Sequence, residues 1–406
     1  MRARTILTAC GSAAILTVLA SGIALSADAI RPYTYLDLPF LDRDEIGARW
    51  AAMGGACMGL VDDGAAVWYN PAGLGRIRRI EILGSFNRRS LKIESDWYGD
   101  SNTSSVSSTR FEDLAISYPF PTYRGSLVLS GSILRATSYD QLLDRMADLG
   151  GTDYKDLEER KVVLTAWSGA AAVQVSPNVF IGAEAHFYTG DLMFEDTWQP
   201  FEDCVDEPAV FGQSGDLGGY GGSVGLLVIP HPLVAVGVTA RTPQRINLEG
   251  SDKYTYPGCD LSSGRIDDNY DLPYSVGIGV GIMPPSASIG LDVVFTDWHE
   301  LDYPDKQPDD IIYDATTDIR VGGEFELPVV PFRLRAGYAY VPLSLNKFEI
   351  EKDKHRISFG AGTIIESTLT VDAAWQRTGF ERSDPGASYS EKRTTDRLIL
   401  SFAYRF

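Results

Sequence analysis

From about residue 80 to the C-terminus, apolar and polar positions alternate with a period of two. In the last stretch Leu398, Leu400, Phe402, Tyr404 and Phe406 share one face, and Arg397, Ser401, Ala403 and Arg405 the other, interrupted by Ile399. Upstream, Leu369, Val371, Ala373 and Trp375 oppose Thr368, Thr370, Asp372 and Gln376, and Phe332, Leu334, Ala336, Tyr338 and Tyr340 oppose Arg333, Arg335, Gly337 and Ala339. Ile289, Leu291, Val293 and Phe295 oppose Ser288, Asp292 and Thr296. A period of two is that of a strand with one apolar face. Soluble sandwiches and membrane barrels both alternate, and three features favour the barrel. Charged residues stand in mid-strand, as a polar lumen allows. The strands are about ten residues long, the length a tilted spanning strand needs. Short connections around 121–123, 176–178, 230–232, 284–286, 328–331 and 366–367 also take turns with long polar ones, roughly 88–111, 136–160, 189–217, 242–270, 297–315, 342–353 and 377–393. Short turns on the periplasmic side and long outer loops mark a bacterial barrel.

The strands between these connections number about fourteen, an even count that returns both ends to one side. The expected fold is all-β, a transmembrane antiparallel barrel over residues 80–406. Closure is a physical requirement, because an unpaired strand edge in hydrocarbon costs several kcal/mol per unsatisfied group.

Residues 28–79 do not alternate. Asp42-Arg43-Asp44-Glu45 precedes Ile46, Trp50 and Met53, the pattern of a short helix with acidic residues at its start, which Gly54-Gly55 would end. Asp62 or Asp63 can cap a second short helix, and Asn70-Pro71 forces a turn out of it. Ahead of this segment, Arg2 and Arg4 followed by the apolar, small-residue stretch Ile6–Leu25 read as a signal peptide over residues 1–27, cleaved after Ala27 or Ala29. Beyond it no stretch offers the roughly 18 consecutive apolar residues of a spanning helix.

Composition agrees with this reading. Hydrophobic residues make up 44% of the 406 residues, and 40 Gly, 20 Tyr and 17 Phe suit tight turns and aromatic girdles. The net charge of −19 repels phosphate backbones and argues against nucleic acid as a partner. Cys10 would leave with the signal, and Cys57 would stay unpaired. Cys204 and Cys259, both in acidic loops, are either a bridge between neighbouring loops or two free thiols. The four His lie far apart with no zinc-ligand spacing, and neither a metal nor a cofactor is expected.

The segment MGGACMGLVDDGAAVWYNPAGLG resembles the N-terminal signature of the FadL-type outer-membrane transporters of long-chain fatty acids and aromatic hydrocarbons. PYSVGIGVG, FTDWHELDY, IRVGGEFELP, RLRAGYAYVP and RISFGAG are similar to later stretches of that family, so the likeness covers most of the mature chain. The Asn-Pro-Ala-Gly-Leu element is shared with PorV-type barrels of a secretion system, which bind other proteins. The FadL resemblance implies a fourteen-stranded barrel in the bacterial outer membrane, its lumen blocked by an N-terminal plug (28–79). Apolar ligands would be caught among outer loops and leave sideways between strands. Matched by motif, the plug would contain Gly54, Gly55, Asp62, Asp63, Asn70 and Pro71. The partners expected are outer-membrane lipids, a hydrophobic small molecule and, through the strand ending in Phe406, the barrel-assembly machinery.

Several residues then become candidates. Leu142, Leu143, Met146 and Leu149 have near-helical spacing, so loop 136–160 would carry an outer amphipathic helix, either capturing ligand or packing on the rim. Gly131 in the third strand would mark a kink that opens the wall, or a close approach. Arg320, Glu324, Arg333, Arg335, Arg356, Asp372, Arg397 and Arg405 all face the expected lumen, as an ion-pair network bracing it or as contacts for a carboxylate head group. Gly221-Gly222-Ser223-Val224-Gly225 fits the hydrolase pattern G-x-S-x-G, but it lies inside a strand rather than at a strand-to-helix elbow, so no catalysis is expected. Asp267-Asp268 and Asp309-Asp310 read as solvated acidic loops.

Overall fold

The computed structural model describes residues 43–123, 125–148, 153–198, 208–256, 259–260, 264–304, 313–345, 350–384 and 388–406. Its wall is a closed antiparallel barrel of fourteen strands. They are β1 (Glu81–Trp97), β2 (Asp100–Phe120), β3 (Leu127–Asp148), β4 (Asp153–Ser176), β5 (Val179–Trp198) and β6 (Ala209–His231). β7 runs as two segments, Val234–Arg241 and Gln244–Tyr256, and β8 as Gly264–Leu272 and Ser275–Ile282, with Pro243 and Pro273 at the two interruptions. Then come β9 (Ala287–Thr296), β10 (Thr316–Glu326), β11 (Phe332–Val341), β12 (Ile350–Ile365), β13 (Leu369–Asp384) and β14 (Tyr389–Arg405). β14 closes on β1 in a continuous register from Glu81↔Arg405 to Trp97↔Tyr389, which leaves no edge between first and last strand.

The alternation has the expected sense. Leu398, Leu400, Phe402 and Tyr404 are exposed on the outer wall, as are Phe86, Trp167, Ile278, Leu291 and Phe359, while Arg335, Asp372, Arg397 and Ser401 are buried inside. A face with large apolar groups outside and charges inside inverts the soluble pattern and fits a wall bathed in lipid. Where the short connections are tightest, backbone conformation supplies the turn. Glu366 and Ser367 both have positive φ (50° and 59°), the pattern of a type I′ hairpin turn.

Most of the long polar stretches are not irregular. Residues 88–97 and 100–111 continue β1 and β2, and residues 136–148 and 153–160 continue β3 and β4. Along these outer stretches both faces of a strand meet water or polar neighbours, so alternation of hydrophobicity fades although β1–β2 and β3–β4 pairing continues. Leu142, Leu143 and Met146 therefore lie on strand β3 and not on a helix. Leu143 is buried beside Leu91 and Ile93, Met146 is exposed, and Leu149 lies outside the described residues. Gly131 does not kink its strand either: it pairs in register with Ile116 on one side and Gly169 on the other. The register breaks five residues on, between Arg135 and Thr137.

Residues 43–77 fill the half of the lumen nearer the short turns. They form α1 (Ala48–Ala52), α2 (Ala66–Tyr69) and a 3-10 turn, Pro71–Arg76, joined by tight reversals. Gly54 and Gly55, with φ of 66° and 77°, end α1 as the sequence suggests. Asp63 accepts the Ala65 N–H at 3.1 Å at the start of α2, and Asn70 accepts the Ala72 N–H at 3.1 Å ahead of Pro71. Trp50, Met53, Val61, Tyr69 and Leu74 are almost wholly buried, so this segment has a core of its own. The wall accommodates it with glycine. A Cβ at Gly225, Gly237, Gly290 or Gly322 would run into the Asn70 side chain or the carbonyls of Met58, Ala56 and Met53. Part of the high glycine content thus serves close approach of plug to wall rather than turns. The expected leader (1–27), the start of the plug segment and the Cys204–Cys259 pairing lie outside the residues whose side chains are described. Cys57 is buried in the plug as a free thiol.

Candidate functional site: a polar-floored lumen cavity and a break in the wall

The plug is fixed to the wall by barrel carboxylates that accept its backbone N–H groups. Asp292 Oδ2 takes the N–H of Cys57 (2.7 Å) and of Met58 (2.9 Å), Glu81 that of Gly64 (2.7 Å), and Asp113 that of Gly47 (3.3 Å). In return Asn70 donates to the carbonyls of Met58 (2.9 Å) and Leu226 (3.2 Å), and Gln376 donates to Ala51 O (2.9 Å). Apart from the Leu226 carbonyl on β6, these are the orphan backbone groups of short helices and turns, which must be paired when buried.

The expected lumen residues are brought together, with partners the sequence did not single out. Arg335, fully buried, bridges Glu324 (2.6 Å) and Asp372 (2.7 Å), and Glu324 also holds plug residue Arg49 at 3.1 Å. Arg356 pairs with Glu45; Arg397 pairs with Glu45 and Asp44 (both 3.5 Å) and with Glu112. Arg405 pairs with Glu81 at 2.6 Å and Arg320 with Asp318 at 2.8 Å. Arg333 stays apart, 3.7 Å from Glu326. Asp44 and Glu45, which read as a helix start in the sequence, are thus the counter-ions of the lumen arginines. Glu112 was hidden because it precedes Asp113 at a register shift in β2, where the period of two is broken.

The six motif residues are structural fasteners within the plug. Asp62 binds Arg49 at 2.7 Å, and Asp63 accepts the Trp50 indole N–H at 2.9 Å. Burial, followed by the nearby charge of Glu81, pushes the Asp63 carboxyl up to about 7. Pro71 packs against Gly182. None of the six lines the cavity above.

That cavity spans about 1910 Å³ of atom-free space, part of it open to solvent, between the plug and the upper wall. Its lining mixes apolar groups such as Trp68, Leu164, Ile246, Leu272, Val294 and Phe380 with an excess of cations. Arg89, Arg320, Arg356 and Arg397 have acidic partners. Arg43 and Arg241 do not pair with any carboxylate among the described residues. Both lie over the Trp68 ring, with guanidinium carbons 3.7 and 5.8 Å from its centroid, and Arg241 donates to the Trp68 carbonyl. Arg43 Nη1 is buried without a hydrogen-bond partner. An unmatched positive pair beside an indole can hold an anionic head group with an apolar tail alongside.

Beside the cavity the wall is incomplete. β2 and β3 pair from Phe120↔Leu127 to Asp113↔Leu134, and there the ladder stops although both strands run on. The register shift after Arg135 and the one in β2 at Glu112 sit at this fork. Above it β3 is drawn inward: Arg89 of β1 donates to Ser138 O at 2.7 Å, and Arg393 of β14 donates to Tyr139 Oη (2.6 Å) and Gln141 Oε1 (3.0 Å). The gap between the strands holds a narrow crevice, closed down to about the room of a single water, lined by Phe111, Arg110, Arg135 and Ser138 and meeting the main cavity at Asp44 and Arg89. The register break in β3 lies at residue 136, not at Gly131, and the β2–β3 pairing ends beside it.

Ser223 is not set against a histidine base. It donates to Glu184 Oε2 (3.1 Å), and Glu184 Oε1 pairs with His186 Nδ1 (2.6 Å), so the acid stands between serine and histidine. A base that cannot reach the hydroxyl cannot activate it. Among the described residues no group of His, Cys, Asp and Glu could hold a metal.

No family model matches the chain, and no curated protein matches it in sequence. Solved structures do match. A Pseudomonas aeruginosa FadL homologue covers 90% of this chain and 100% of its own length, at 16% identity and TM-score 0.69. The Pseudomonas putida toluene transporter TodX covers 90% and 99%, at 14% identity and TM-score 0.68. The Ralstonia pickettii toluene transporter TbuX covers 90% and 100%, at 14% identity and TM-score 0.64. Plug, fourteen-stranded wall and connectivity together therefore give this chain the FadL-type fold.

Proposed function

We propose that this protein is an outer-membrane channel through which hydrophobic small molecules enter passively, with long-chain fatty acids favoured over neutral aromatic hydrocarbons. The observation that carries the reading is the lumen cavity, lined by both apolar and basic side chains, with Arg43 and Arg241 at its floor and neither of them ion-paired to a carboxylate among the described residues. A neutral hydrocarbon has no use for those cations, whereas a carboxylate tethered to an alkyl chain satisfies both halves of the site. The ligand comes in from the outer mouth, rests with its head group at Arg43 and Arg241, and departs sideways through the break between β2 and β3 into the membrane. The plug blocks the straight path, and no covalent step is involved. FadL-fold relatives named as toluene transporters support a hydrophobic cargo.

The test is equilibrium binding of cis-parinaric acid to the purified full-length protein, with its methyl ester as the neutral control. Removing both cations (Arg43→Gln with Arg241→Gln) is expected to weaken acid binding by about tenfold to a hundredfold, the range for charge-assisted hydrogen bonds, and to leave ester binding unchanged. Absence of acid binding by the unaltered protein refutes the reading.

A further inference from the structure

The break in the wall has a fastening of its own. Between the end of the ladder at Asp113↔Leu134 and the contact of Asp144 N with Ser104 Oγ (2.9 Å) near the strand tops, one ion pair crosses from β2 to β3 among the described residues. Arg110 Nη2 donates to Asp140 Oδ1 at 2.6 Å. It lies in the path: Arg110 lines the window pocket, with Phe111 exposed on the outer wall below it. The pair is single-pronged. Arg110 Nη1 and Asp140 Oδ2 are both buried without partners, so each ion keeps an unused binding position. A strut built for stability would be expected to use both.

The inward course of β3 does not depend on this pair. Ser138, Tyr139 and Gln141 are tied to Arg89 and Arg393 on other strands, so the backbone fork persists when Arg110 and Asp140 part. The ion pair fills an opening that the rest of the fold holds apart.

We propose that Arg110 and Asp140 are the gate of the lateral window and select for anionic ligands. The exiting carboxylate takes the place of Asp140 on Arg110, exchanging one charge-assisted contact for another, while the tail follows past Phe111 into lipid. A neutral molecule has nothing to offer Arg110 and must wait for the pair to open unaided. This rests on the transport reading above. It goes further by placing selectivity at the exit as well as at the cavity floor.

The experiment measures escape of pre-bound cis-parinaric acid, and of its methyl ester, from the full-length protein into the surrounding bilayer by stopped-flow fluorescence. Asp140→Ala is expected to speed ester escape by about tenfold, the factor that one charge-assisted hydrogen bond carries, and acid escape by less. Arg110→Met is expected to bring the acid-to-ester rate ratio close to one. The exchanged pair, Arg110→Asp with Asp140→Arg, is expected to restore slow ester escape, which loss of packing alone would not do. If these variants bind both probes as the unaltered protein does, and both escape rates and their ratio stay unchanged, the gate is refuted. If the unaltered protein binds neither probe, it is the transport reading that fails.

Discussion

The plug's seating can be tested at Asp292, whose Oδ2 accepts the N–H groups of both Cys57 and Met58. Asp292→Ala leaves both donors buried with no acceptor, against a wall kept flat by Gly279 and Gly290. A hydrogen bond to a charged group contributes roughly 1.5–3 kcal/mol, so losing two costs about 3–6 kcal/mol. At about 1.4 kcal/mol per factor of ten, the fraction of molecules with this part of the plug lifted rises at least about a hundredfold. Cys57 supplies the assay. It is buried, and burial followed by the charge of Asp292 raises its thiol pKa well above the ordinary value, so it reacts with a maleimide through transient opening. In a background where Cys57 is the sole thiol, the labelling rate of Asp292→Ala is expected to exceed the parent's by about a hundredfold or more, with Asp292→Asn between the two. Equal labelling of parent and Asp292→Ala, both folded by their heat-dependent gel mobility, would refute the claim that this carboxylate holds the plug.

Gly290→Val pushes a side chain into the Ala56 carbonyl and is expected to raise Cys57 labelling through overpacking of about 1–3 kcal/mol. Arg397→Met leaves Glu112 buried without a cation, while Asp44 and Glu45 keep Arg89 and Arg356, and is expected to lower thermal stability by about 3–5 kcal/mol, read from the melting of the barrel by circular dichroism. Asp63 has a folded pKa of about 7 against roughly 3.9 unfolded. The unfolded plug therefore releases this proton first, and the contribution of Asp63 is greatest below about pH 4 and declines as pH rises towards 7. Asp63→Asn is expected to remove that part of the pH dependence of Cys57 labelling, and an unchanged profile counts against it.

The barrel was legible because a period of two needs no tertiary information: Leu398 to Phe406 and Phe332 to Tyr340 show their outward face directly. The charged residues opposite them were legible for the same reason, and Arg335, Arg356 and Arg397 point where the alternation puts them. What escaped was set by contacts distant in sequence. Glu45 and Arg397 lie 352 residues apart and meet because β14 closes beside the plug. The outer extensions of β3 and β4 read as loop because polar groups occupy both faces there, and Leu142, Leu143 and Met146 took on a helical spacing by coincidence of a strand with one register shift below it. The shift itself, at residue 136, leaves no compositional mark. Glycine at 131 reads in the sequence as either a kink or a close approach, and in the structure its neighbours keep it in register.

The most direct test of the account is photo-cross-linking of a diazirine-bearing fatty acid to the full-length protein in its native membrane, with adducts mapped by mass spectrometry. Adducts are expected on Trp68, Tyr139 and Tyr188 around the cavity and on Phe111 at the window. Labelling confined to lipid-facing residues such as Ile278, Leu291 and Phe402, with none inside, would contradict passage through the lumen.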